Sequence, residues 1–118
     1  MQQVKTEEQF RSILAESKPV VAVFKATWCV DCHYIEPFLP DLEVKYEDSY
    51  TFIHIDRDDL PDLCSELNIL GIPSFIVFVG GQDVTRFVSK LRKTREEIEE
   101  FLDKSLVVAE TYREAQQS

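Results

Sequence analysis

Cys29 and Cys32 are separated only by Val30 and Asp31, and they stand directly behind Trp28. An apolar run, Val20–Phe24, comes before them, and a helical pattern through Ile35, Phe38, Leu39 and Leu42 comes after. This order puts both sulfurs at the N-terminus of a helix. Residues three apart there have Cα atoms close enough to bridge. Backbone N–H groups at a helix start also stabilise a thiolate. The same spacing thus provides an easily formed disulfide and a reactive sulfur. Disulfide exchange needs an exposed thiolate to attack and a second thiol to resolve the mixed disulfide. The cysteine nearer the helix start feels the backbone field most and is the more exposed. Attack is therefore assigned to Cys29 and resolution to Cys32, with a redox-active Cys29–Cys32 disulfide as the product.

The elements that must position this pair follow from the pattern along the chain. A short edge strand is expected near Gln3–Lys5. Thr6-Glu7-Glu8-Gln9 fits a capping box, with Phe10, Ile13 and Leu14 at helical spacing behind it, so a helix is expected over 7–16. Val20–Phe24 has the length and composition of a central strand buried on both faces. The helix that carries the cysteines should run from about Cys29 to Tyr46, kinked at Pro37 and irregular at Pro40. Thr51–Asp56 reads as a strand. A short helix over 60–67 follows, with Pro61 in its first turn and Asn68 as a left-handed stop. Pro73–Val79 and Asp83–Val88 flank Gly80–Gly81 as a hairpin. Thr94-Arg95-Glu96-Glu97 opens a last helix reaching about Arg113, with an extension over 103–118 whose end, Gln116–Ser118, frays. Strands alternating with helices imply an α/β fold, a central mixed β-sheet covered on both faces.

The chain has 118 residues and 44% apolar composition, which suits one domain with one core over 1–118. A net charge of −9 argues against nucleic-acid backbones and anionic membranes as partners. The run Ile72–Val79 is too short to cross a bilayer. The N-terminus lacks an apolar signal region, so the expected compartment is a reducing, cytoplasmic one. There a cysteine pair more often does redox or metal chemistry than structural stapling.

The Trp-Cys-Val-Asp-Cys stretch resembles the thioredoxin family. Pro37 falls where that family kinks its active-site helix. Gly71–Ile72–Pro73–Ser74 resembles its loop with a cis proline beside the cysteines, and Gly80–Gly81 resembles the turn between its last two strands. The matching order runs from about Val20 to Leu102. The resemblance implies a thioredoxin-like three-layer sandwich and a protein-disulfide reductase with no cofactor of its own. It implies a monomer that a thioredoxin-reductase-type flavoenzyme recycles. It also implies a cis peptide before Pro73, with the Ile72 backbone pairing with an extended substrate segment. Trp28 would pack over the cysteines and line the binding face.

Two departures from the family bear on chemistry. Val30-Asp31 stands where reductases of the family commonly carry Gly-Pro. The Asp31 carboxylate favours the helix start but opposes a thiolate beside it, which favours the disulfide form and makes the reduced protein an electron donor. Val23 and Phe52 occupy the positions where thioredoxins usually bury an aspartate and a nearby lysine. Lys25, Asp31 and His33 are then the candidates for tuning the sulfurs and moving their proton. If exchange requires the usual buried acid, this protein should be slow.

Other readings compete. Cys29, Cys32, Cys64, His33 and His54 are the available zinc ligands, but a second CxxC is lacking and no metal is expected. Cys64, spaced with Leu60, Leu63 and Leu67, reads as a buried small residue, or else as an auxiliary thiol open to oxidation. Lys90, Arg92, Lys93 and Arg95 form a basic cluster that reads as a solvated loop, or else as a docking point for an acidic partner. The main rival to a reductase is a binding or scaffold module in the same fold.

Overall fold

Every residue from Val20 to Phe24 is buried, because strand β2 (Val20–Lys25) lies at the centre of a mixed five-stranded sheet. The computed structural model describes residues 1–117. The other strands are β1 (Gln2–Val4), β3 (Thr51–Asp56), β4 (Ser74–Val79) and β5 (Gln82–Phe87), in the spatial order β1-β3-β2-β4-β5. β1 and β2 run parallel to β3, whereas β4 is antiparallel to both β2 and β5. Gly80 and Gly81 join β4 to β5 with φ of 57° and 86°, a conformation that costs glycine nothing and other residues dearly.

Side-chain alternation along the strands divides the interior in two. Val20, Ala22 and Phe24 join Ile53, Ile55, Ile76 and Phe78 on one face. That face is covered by Phe10, Ile13 and Leu14 of α1 (Glu7–Leu14) and by Leu63 of α4 (Pro61–Glu66). Val21, Val23, Phe52, Phe75 and Val77 line the other face. Leu39 and Leu42 of α3 (Leu39–Lys45) and Ile98 and Leu102 of α5 (Arg95–Gln117) pack there. The result is the expected three-layer α/β arrangement.

The capping box at Thr94 closes on the cap itself, while the one at Thr6 closes one residue earlier, on Lys5. Thr6 Oγ1 accepts from the Gln9 N–H at 3.0 Å, and Gln9 Oε1 reaches back to the Lys5 N–H at 2.9 Å. Thr94 Oγ1 accepts from the Glu97 N–H at 3.2 Å, and Glu97 Oε1 accepts from the Thr94 N–H at 3.1 Å. Asn68 ends the α4 segment with φ of 56°, as expected.

Three elements differ from the sequence expectation by more than one residue. The helix expected over 29–46 is two helices: α2 (Val30–Ile35) and α3 are separated by turn residues 36–38. Pro37 and Pro40, three apart, each remove a backbone donor, so the ladder is interrupted rather than bent. α1 ends at Leu14 instead of residue 16. α5 continues through Gln117, beyond Arg113. Buried Ala109 and a Thr85–Ser105 hydroxyl contact of 2.7 Å hold its middle, and Gln116 Nε2 donates to Tyr112 Oη at 3.0 Å near its end. Gln116 and Gln117 belong to α5, and Ser118, the last residue of the expected frayed end, lies outside the described residues. No helix among the described residues is long and apolar enough to cross a membrane.

Candidate functional site

The β2–α2 junction carries the two cysteines. Cys29 is the N-cap of α2, in extended conformation, and its Sγ accepts a hydrogen bond from the Cys32 N–H at 3.2 Å. A helix start offers unpaired N–H groups, and an anionic acceptor makes the stronger bond to one of them. The Cys29 thiol also faces the Ile72 carbonyl at 3.7 Å. Cys29 retains 6% of its surface and Cys32 none. Burial, and then the hydrogen bond to Cys29, hold the Cys32 thiol well above its ordinary range, while the Ala26 backbone pulls weakly the other way. Both cysteines are free thiols.

Cys29 opens onto a groove of about 430 Å³ lined by Trp28, Val30, Asp31, Arg57, Leu70, Gly71, Ile72 and Lys90. The Ile72–Pro73 peptide beside it is cis, as the resemblance implied. Gly71 is required here by close approach, since a Cβ on it would lie 2.3 Å from the Ser89 carbonyl oxygen. The cis-proline loop therefore rests directly on the Ser89–Lys90 backbone. Trp28 is 61% exposed and forms one wall of the groove rather than part of the core. Its Nε1–H donates to Asp58 at 2.8 Å.

Asp31 is not the free anion that the sequence suggested. Its carboxylate accepts from Arg92 Nε at 2.8 Å, and the Arg92 guanidinium lies 4.5 Å from the Tyr34 ring centroid. The cation offsets much of the repulsion that Asp31 would exert on a neighbouring thiolate. Lys25 and His33 line a second cleft with His54, Asp56 and Glu36, and from there the Lys25 charge still acts to lower the Cys32 pKa. His33 Nε2 contacts the Thr27 carbonyl at 2.6 Å and Nδ1 contacts Glu36 at 3.2 Å. These contacts, the carbonyl first, raise the His33 pKa. His54 is half-buried in β3, and burial lowers its pKa. Cys64 is buried on α4, and burial pushes its thiol up to about 11.

The basic cluster at 90–95 does not exist as a cluster. Arg92 binds Asp31, while Arg95 binds Glu99 at 2.8 Å and Asp41 at 3.5 Å. Lys90 lines the groove. Lys93 is only 1% exposed, contrary to the solvated loop expected. Its ammonium donates to the Leu91 carbonyl, the Ser89 hydroxyl and the Ser89 carbonyl at 3.1, 3.1 and 3.2 Å. It lies 5.0 Å from the Phe87 ring centroid. Burial lowers its pKa, against the pull of Cys32, Glu97, Asp31 and Cys29. Val23 and Phe52 are apolar members of the core on the α3–α5 side, so the usual buried acid has no counterpart at those positions.

Arg57, Leu70 and the burial of Lys93 escaped the sequence reading. Leu70 was within reach, because it directly precedes the Gly71–Ile72–Pro73 loop. Arg57 follows the strand end at Asp56, and only the β3–β2 pairing brings it to the cysteines: its N–H donates to the Lys25 carbonyl at 2.8 Å.

Two thiols so unequally placed at the end of a central strand are the arrangement that dithiol–disulfide exchange requires. The family model described as Thioredoxin matches residues 1–104. Over 98 residues the chain is 36% identical to thioredoxin X of Arabidopsis thaliana, a chloroplastic protein, covering 82% of this chain and 54% of the relative. It is 37% identical over 89 residues to thioredoxin of Homo sapiens, covering 74% of this chain and 84% of that one. It superposes on a solved thioredoxin of Plasmodium falciparum with a TM-score of 0.80 and 25% identity, covering 88% of this chain and 98% of the other. The chain thus spans about half the length of the chloroplast relative and most of the other two. This protein belongs to the thioredoxin family, and the scaffold-module alternative is not favoured.

Proposed function

We propose that the protein is a single domain that reduces protein disulfides through Cys29 and Cys32. The Cys29 thiolate attacks one sulfur of a substrate disulfide; that S–S bond breaks and the second substrate sulfur leaves and takes a proton. Cys32, once deprotonated, attacks Cys29 Sγ. The mixed disulfide breaks, the first substrate sulfur leaves, and a Cys29–Cys32 disulfide remains. Two electrons and two protons pass to the substrate. A thioredoxin-reductase-type flavoenzyme returns them, and a monomer in a reducing compartment such as the cytosol suffices.

The observation that carries this reading is the N-cap hydrogen bond from the Cys32 N–H to Cys29 Sγ, at the floor of a groove. It favours charge on the attacking sulfur, while burial keeps the resolving thiol protonated until the mixed disulfide forms. Trp28, Ile72 and Pro73 shape the groove, and the backbone of Ile72 is the natural edge for an extended substrate segment. Because Arg92 engages Asp31, the reductant character expected from Asp31 rests on the pair as a whole. Insulin-disulfide reduction driven by dithiothreitol tests the proposal. Activity well above background that vanishes in Cys29→Ser is the expected result; equal activity of the two proteins overturns it.

A further inference from the structure

Most cations of this acidic chain are neutralised on its own surface. Lys5 pairs with Asp59, Arg11 with Glu66, Lys45 with Glu99, and Lys104 with Glu100. Lys18, Lys25, Lys93 and Arg113 also lack an ion pair among the described residues, but Arg57 and Lys90 differ from them in place. Both line the groove that Cys29 opens onto. Among the described residues, neither reaches a carboxylate at ion-pair distance, although the chain carries 22 acidic residues.

The acids nearest the groove are already engaged. Asp31 holds Arg92 at 2.8 Å. Asp58 accepts from Trp28 Nε1 at 2.8 Å, and Asp56 accepts from the Asp58 N–H at 2.7 Å. The groove thus keeps two uncommitted cations on a molecule of net charge −9. Apart from Asp31, which Arg92 holds, its other exposed walls are apolar: Trp28, Val30 and Leu70 are 61%, 72% and 70% exposed.

We infer that the preferred substrate is an extended, partly apolar segment whose disulfide cysteine is flanked by Asp or Glu. This rests on the disulfide-reductase reading above and names the substrate class for that same groove. The segment's carboxylates would meet Arg57 and Lys90, while its apolar residues lie against Trp28, Val30 and Leu70. The rest of the acidic surface repels such a segment, so these two cations also bias which face it approaches. Exposed ion pairs contribute modestly and weaken with salt. The expected preference is therefore a matter of several-fold and not of all or none.

The test uses the full chain and two disulfide-bonded peptides identical except for Glu or Lys on either side of the cysteine. Insulin reduction is measured alongside. The expected result is a kcat/KM about three- to tenfold higher for the Glu peptide, as two exposed ion pairs imply, shrinking as salt is raised. In R57E/K90E the ratio of the two peptides should invert. The single variants Arg57→Gln and Lys90→Gln should each lower the ratio, which guards against a double variant that fails to fold. Insulin reduction with equal rates for the two peptides, or a ratio unchanged in every variant, overturns the inference alone. Failure to reduce insulin and both peptides overturns the disulfide-reductase reading, and the inference with it.

Discussion

The two sulfurs are three residues apart, yet their surroundings have little in common. Cys29 sits at the edge of the buried cluster, where exposed neighbours are held by contacts at the surface: Asp31 with Arg92, and Trp28 with Asp58. Around Cys32 the neighbours are core. Cys32 packs with Phe24, Ala26 and the α1–α4 face, and the cations coupled to it are Lys25 and the buried Lys93. The contrast teaches that one turn of helix is enough to give two identical side chains different tasks. A sulfur that caps the helix is open to a partner. A sulfur one turn further in has lost its water and stays protonated until a bond forms beside it.

Substitutions can break this contrast or sharpen it. The largest effect is expected for Cys32→Ser, which keeps the outward sulfur and deletes the inward one. Turnover should fall to background while a covalent adduct between Cys29 and substrate accumulates, read by mass spectrometry. Full turnover without an adduct would show that Cys32 does not resolve.

Gly71→Ala acts on the wall between the two environments. The new Cβ would lie 2.3 Å from the Ser89 carbonyl oxygen and 2.7 Å from the Lys90 nitrogen, so backbone must move. A stability loss of about 1–3 kcal/mol in urea unfolding is expected, the usual range for overpacking. Slower peptide reduction should accompany it. An unchanged midpoint would mean that the loop yields freely.

Lys93→Met probes the inner side. The amine's removal leaves two carbonyls and a hydroxyl without this donor, a cost of about 1–3 kcal/mol if no water replaces it. Losing a buried charge acts in the opposite direction, so the pH dependence is the cleaner readout. The Lys93 pKa is lowered in the folded protein, below an ordinary value of 10.5. Between those two values the unfolded chain holds more protons, so this group's contribution to stability rises with pH. Wild type should gain on Lys93→Met as pH climbs toward 10.5. A difference independent of pH would mean that the lysine titrates as it does in the unfolded chain.

The smallest effect is expected for His33→Gln, away from the groove. His33 has a raised pKa when folded, so its contribution is fully present below its ordinary 6.5 and fades as pH rises through the raised value. The variant should lose melting temperature mainly at acid pH. A loss confined to alkaline pH would contradict the Thr27 and Glu36 contacts.

The legible parts of this molecule were those in which neighbours in sequence are also neighbours in space. Val20–Phe24 as a central strand, the capping boxes at Thr6 and Thr94, the left-handed Asn68 and the Cys29–Cys32 pair depend on residues within a few positions of one another. Pro37 gave a kink in the reading and an interruption in the structure, because Pro40 compounds the lost hydrogen bond. Lys93 was misread for a different reason. It has three basic neighbours in sequence, but its burial depends on Phe87, on the Ser89–Leu91 carbonyls and on Arg92 fastening the segment to α2 through Asp31. The groove cations Arg57 and Lys90 reach Cys29 through sheet pairing and loop packing, which no local pattern encodes.

Trp28 is the chain's one tryptophan, and it stands largely in solvent at the rim of the groove. Light absorbed by indole alone is therefore emitted from a single address, next to the reactive sulfur and tethered to Asp58. Any event in the groove, from oxidation of the pair to arrival of a substrate segment, alters the solvent and the quenchers around that ring. The protein carries its own optical reporter, and emission can follow each step of the cycle in real time without a dye or a tag.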